Sequence, residues 1–152
     1  MTNIAPFLWF DSQAAEAMNF YVGLFEDSQV LSIQQASDDG PVLSVSFSIG
    51  TQTFHAINGG PHYVLTPATS WMVTCTSQRE IDRLWDALAD GGKPDQCGWV
   101  TDRFGVTWQI VPEVLLTHLG NPDPQIAVRV QEAMLAMTKI DIAGIERAVS
   151  GT

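Results

Sequence analysis

The chain has 152 residues, 45% of them hydrophobic, with a mean hydropathy of +0.07; that is enough to bury one core and too little for two ordinary domains. Seventeen acidic against seven basic residues give a net charge of -10 and a pI near 4.4, a surplus that repels phosphate backbones and anionic lipid heads, so neither nucleic acid nor membrane is an expected partner. No apolar stretch approaches a membrane span, and residues 1–6 lack a basic region and a long apolar run, so a cytoplasmic setting is expected and Cys75 and Cys97 are read as thiols.

Residues 4–10 form an apolar run ending at Asp11-Ser12, after which Ala15, Met18, Val22 and Phe25 recur at helical spacing. The pattern predicts a strand and then an amphipathic helix over 12–25. Val30, Leu31 and Ile33 support a second strand, Asp38-Asp39-Gly40-Pro41 a turn, and Val45, Phe47 and Ile49 alternate with Ser44, Ser46 and Ser48 in a third. The serine face meets either solvent or a polar cavity. Gly50 then turns the chain into a fourth strand, which ends at Asn58-Gly59-Gly60-Pro61. The order is β-α-β-β-β over about 4–58.

A second unit over about 69–112 repeats that rhythm. Thr69 to Thr76 is strand-like, and Ser77-Gln78-Arg79-Glu80 reads as a capping box opening a helix over 77–90, with Ile81, Leu84, Trp85 and Leu88 as its apolar stripe and Gly91 as its left-handed stop. Shifting the first half by 65 positions lays Phe7-Leu8 on Met72-Val73 and Phe20 on Trp85, which marks a duplicated module. Asp102 to Gly105 reads as a tight hairpin, Asp102 opening it through its side-chain oxygen and Gly105 taking a positive φ. In the strand that follows, alternation sets Thr107, Gln109 and Val111 on one face and Trp108 and Ile110 on the other. After Pro112 a helical tail is expected to about 150: Asp123-Pro124 starts a helix with Ile126, Val130, Met134 and Met137 on one stripe, and a shorter helix spans 141–149. Such stripes are read as core or subunit contact.

Several segments together resemble a known family. Pro6-Phe7-Leu8-Trp9-Phe10, Met18-Asn19-Phe20-Tyr21, Ala56-Ile57-Asn58-Gly59-Gly60-Pro61, Gln96-Cys97-Gly98-Trp99, Asp102 to Pro112 and the tail segment Lys139-Ile140-Asp141-Ile142 look like the PhnB-like branch of the vicinal oxygen chelate superfamily, often labelled demethylubiquinone methyltransferase-like. The resemblance implies an α+β fold of two paired β-α-β-β-β modules, forming a curved mixed sheet around a cleft, with the helices on the outer faces. It also implies a homodimer, to which the apolar stripes of the tail add support. The glycine-rich strand-to-helix turn of a methyltransferase that uses S-adenosylmethionine has no counterpart in the sequence.

The superfamily's metal ligands carry over approximately to Pro6, Ser70 and Gln109, with a fourth position within residues 54–57, where His55 is the one possible ligand. Proline, serine and glutamine are poor or impossible divalent-metal ligands, so no metal and no other cofactor is expected. Gln109, which can donate and accept at once, is instead the expected anchor of a small-molecule ligand. His55, Asn58, His62, Trp99 and Ser70 are the other candidate binding residues, Trp99 as an aromatic wall for a flat or cationic ligand. His55 reads more often as a hydrogen-bonded structural residue, His62 equally as a solvated loop residue, and Cys97 as structural rather than as a thiol nucleophile; His118 is placed on the surface. By strand parity Trp71 and Trp108 belong to the core, and Trp9 lies opposite Pro6 and Leu8. Three functions remain open: a non-metal small-molecule binder, which leads; a metal-dependent lyase, isomerase or dioxygenase; and a non-metal enzyme using a cleft His or Cys.

Overall fold

Alternation makes the first module's strands two-faced. The computed structural model describes residues 1–152 and divides them into two units, Met1–Leu65 and Thr66–Thr152. In the first, β1 (Phe7–Phe10), α1 (Ala14–Leu24), β2 (Ser28–Gln35), β3 (Val42–Ile49) and β4 (Gln52–Asn58) give a four-stranded sheet of order β1-β4-β3-β2, with β1 parallel to β4 and the other pairs antiparallel. Leu8, Phe10, Val45, Phe47, Phe54 and Ala56 point to one side, each no more than 5% exposed. Helix α1 covers that side through Ala14, Ala17, Met18 and Tyr21, and the Tyr21 ring lies 5.8 Å from Phe47. The expected stripe is thus rotated: Ala15 and Val22 are half-buried, and two alanines let the helix backbone approach the sheet.

The start of α1 also differs from expectation. Its cap residue is Gln13, whose side chain makes no capping bond. The Asn58 Oδ1 accepts from Ala14 N at 2.8 Å instead, while Asn58 Nδ2 donates to Val42 O at 3.1 Å. A residue 44 positions away in sequence therefore satisfies one of the helix's orphan donors.

The second unit holds β5 (Ser70–Cys75), α2 (Gln78–Ala89), β6 (Lys93–Pro94), β7 (Trp99–Thr101) and β8 (Thr107–Pro112). Its sheet has the order β5-β8-β7-β6, with β5 parallel to β8, so the topology of the first unit recurs. The expected curved mixed sheet is thus resolved into two four-stranded mixed sheets, because each module closes its ladder within itself. Ile81, Leu84, Trp85 and Leu88 are buried as the stripe predicts. Ser77 Oγ accepts from Glu80 N at 3.2 Å, but the reciprocal bond runs from Thr76 N to Glu80 Oε2, also at 3.2 Å, one residue before the cap. Gly91 follows with φ 70°.

Three helices complete the second unit: α3 (Glu113–Leu119), α4 (Pro124–Leu135) and α5 (Ile142–Ser150). Asp123 caps α4 and Asp141 caps α5. Val111, Leu115, Val130, Ile140 and Ile145 form their core, with Ile126, Met134 and Met137 packed against it. The tail is tied to its module by polar backbone contacts: Cys97 N donates to Met137 O and Gly98 N to Thr138 O, both at 2.8 Å. The Gln78 amide grips the same segment, donating to Ile140 O at 3.1 Å and accepting from Ile142 N at 2.8 Å.

Candidate functional site

Each sheet has one side facing its helix and one open side, and the candidate residues sort by that division. In the second unit, Asp102 sets the geometry. This carboxylate is only 3% exposed; Oδ1 accepts from Phe104 N at 2.9 Å and Val106 N at 3.0 Å, while Oδ2 accepts from Trp108 Nε1 at 2.9 Å. Gly105 has φ 92°, as the turn requires. With Trp108 tethered on the helix side, alternation delivers Gln109 to the open side. There Met72, Gln109 and Trp99 form a row across β5, β8 and β7, Met72 being 53% exposed and Trp99 half-buried. Gln109 Nε2 donates to Ser70 Oγ at 2.8 Å. Thr101 and Thr107 pair through their hydroxyls at 2.9 Å in the adjacent row.

The first unit presents the corresponding row as Phe7, His55, Ser46 and Ser32. Register makes the equivalence explicit: Phe7 pairs with His55 as Met72 pairs with Gln109, so His55 occupies in β4 the position that Gln109 occupies in β8. The His55 ring stacks on Phe7 with centroids 6.0 Å apart, and Nδ1 lies 3.0 Å from Ser46 Oγ. Ser32 Oγ donates to Ser46 Oγ at 3.0 Å. Half-buried Trp9 lies opposite Leu8, as strand parity expects, and shares this open side because Leu8 packs into the α1 core. The Trp9 indole donates to Gly60 O at 2.9 Å, and a Cβ on Gly59 would fall 2.2 Å from its ring, so glycine is required there. Exposed His62 and Tyr63 gather beside it, with centroids 6.5 and 5.0 Å from Trp9.

Other candidates take different places. Asn58 has both ends of its amide committed to backbone groups, a task hidden from sequence because Ala14 and Val42 are its partners only after folding. His118 is half-buried in α3, with Nδ1 3.0 Å from Asn121 Nδ2. Trp71 is half-buried on the helix side, where Trp108 is 3% exposed. Cys97 has φ 62°, uncommon for a non-glycine residue, and its N–H holds the tail. Cys75 is fully buried, and burial, with Glu80 adding repulsion, pushes its thiol up to about 12. Cys75 is therefore a neutral packing residue.

The donor set does not fit a divalent ion. Ser70 and Gln109 are uncharged and bonded to each other, His55 Nδ1 is engaged by Ser46, and no three His, Cys, Asp or Glu side chains gather at one point. Methyl-donor chemistry finds no better fit. Both strand-to-helix turns, Asp11-Ser12-Gln13 and Thr76-Ser77, lack glycine, and each sheet is mixed where the doubly wound nucleotide fold is parallel.

Comparison with known proteins agrees with this architecture. The family described as 3-demethylubiquinone-9 3-methyltransferase matches residues 2–111. A PhnB protein of Bacillus cereus is 33% identical, with 73% of this chain and 99% of that one covered and a TM-score of 0.68. Protein PA1353 of Pseudomonas aeruginosa is 23% identical over 74% of this chain and 98% of its own, with a TM-score of 0.64, a likeness of fold alone. No curated protein matches the chain. The family match ends at residue 111, so the tail, with its Lys139-Ile140-Asp141-Ile142 segment, lies outside it. The chain thus belongs to the family described as 3-demethylubiquinone-9 3-methyltransferase and is PhnB-like.

Proposed function

We propose that the protein binds a small organic molecule without a divalent metal, using the open side of each module's sheet. Gln109, Ser70 and Trp99 are the anchors in the second module, and His55 and His62 those in the first. The observation that carries this reading is the Gln109 amide, bonded to neutral Ser70 and flanked by Met72 and Trp99. An amide between a thioether and an indole offers hydrogen bonding within an apolar surround, the composition of a ligand site. Asn58 supports the first-module anchors indirectly, by holding β4 to the start of α1.

A homodimer in the cytoplasm is part of the proposal. Exposed Val30, Leu31 and Ile33 on edge strand β2, and Val128 and Leu135 on α4, support self-association, and two free cysteines suit a reducing compartment. No helix is long and apolar enough to cross a membrane. The test is mass spectrometry of the purified protein under native and denaturing conditions. A small molecule that co-purifies and is released on unfolding is expected, and Gln109→Ala is expected to retain less of it. A fully folded Gln109→Ala variant that holds the molecule as tightly as the parent would refute the role of Gln109.

A further inference from the structure

The first unit contains Asp11, Glu16, Glu26, Asp27, Asp38 and Asp39 but no lysine or arginine; all seven basic residues fall in the second. The first unit therefore offers an anion no basic side chain to pair with. Yet the face is not built for a cation either. Ser32 Oγ donates to Ser46 Oγ, which leaves the Ser46 hydroxyl proton free to point at His55 Nδ1, 3.0 Å away. In the arrangement with Ser46 as donor, Nδ1 carries no proton and the imidazole N–H is on Nε2. No residue of the chain accepts from that Nε2–H. Phe7, 63% exposed, stacks on the imidazole, and half-buried Trp9 follows two residues along β1 on the same side.

We infer that the open side of the first sheet takes an uncharged planar molecule through a carbonyl oxygen, which accepts from His55 Nε2–H while the ligand's plane lies against Phe7 and Trp9. This rests on the small-molecule reading above and adds the ligand's chemical class. The serine pair acts as a tautomer lock: Ser32 orients Ser46, Ser46 orients the imidazole, and the outward nitrogen becomes a fixed donor. A ligand bearing only donors, or a carboxylate, finds no match there.

Two measurements on the full chain test it. The first needs no ligand: long-range proton–nitrogen spectra of 15N-labelled protein read the tautomer of His55, identified by its loss in His55→Phe. A pyridine-type Nδ1 and a pyrrole-type Nε2 are expected, with Ser46→Ala giving a tautomer mixture; a proton on Nδ1 in the parent would overturn the lock. The second uses coumarin, indole and benzoate as probes that are respectively an uncharged carbonyl compound, an uncharged donor and an anion. Coumarin is expected to shift the His55 and Phe7 signals, with affinity reduced a few-fold to roughly tenfold in His55→Phe, the loss of about one hydrogen bond. Indole and benzoate are expected to bind more weakly. Benzoate or indole binding at this face as tightly as coumarin would overturn the ligand class, as would the absence of any coumarin shift. Either failure leaves the Gln109 retention experiment standing, so the two readings fail separately.

Discussion

Replacing Asp102 with asparagine should unlock the hairpin that aims Gln109. The carboxylate, in a site 3% exposed, accepts from Phe104 N and Val106 N through Oδ1 and from Trp108 Nε1 through Oδ2. An asparagine can keep the two backbone bonds through its carbonyl oxygen, but its NH2 then faces the indole N–H, donor against donor. A hydrogen bond to a charged group contributes about 1.5–3 kcal/mol, and a buried donor left unmet costs about 1–3 kcal/mol. Asp102→Asn is therefore expected to destabilise the protein by about 2–4 kcal/mol, a sum of overlapping effects on one contact. Urea titration followed by tryptophan fluorescence and by circular dichroism measures this, as a fall in midpoint. Trp108→Phe removes the offending donor, so the double variant should lose less than the sum of the two single changes, with a coupling of about 1–2 kcal/mol. An Asp102→Asn variant within about 0.5 kcal/mol of the parent, or strict additivity in the cycle, would refute the account.

Gln109→Glu restores a carboxylate to the last strand, but with serine at position 70 and no other ligand supplied by the second sheet it should not take up manganese or nickel tightly; tight calorimetric uptake would show that the missing ligands have been misplaced. Burial raises the Cys75 thiol from 9.0 to about 12, so the folded state keeps its proton longer than the unfolded state does. The stability linked to Cys75 is fully present below about pH 9 and is lost as pH climbs towards 12; Cys75→Ala should flatten this part of the pH–stability curve, and an unchanged curve would count against it. Light scattering at micromolar concentration should give twice the chain mass, and Ile33→Lys on β2 should lower it; a parent that runs as a monomer refutes the dimer.

Local chemistry determined much of this protein. The Ser77 to Glu80 cap, the buried stripe of α2, the Gly91 stop and the Asp102 to Gly105 hairpin rest on interactions between residues a few positions apart, and sequence displays such spacing directly. The 65-position repeat likewise anticipated two modules of one topology, and alternation put Gln109 on the side opposite Trp108. Tertiary structure decided what depends on partners distant in the chain. Alternation sets Trp9 opposite Leu8, but β1 is too short for alternation alone to say which of its two apolar faces meets the helix, and packing buries Leu8 and Phe10 under α1 and leaves Trp9 on the open side. Asn58, read as a ligand anchor, caps a helix 44 residues earlier, and Gln78, unremarkable in sequence, clasps a tail segment more than 60 residues later. The pairing of Ser70 with Gln109, and of Ser46 with His55, also required strands to be laid side by side. Side-chain type and local spacing are written in the sequence, whereas the partner that satisfies a polar group across a sheet is set by register, which only the folded ladder fixes.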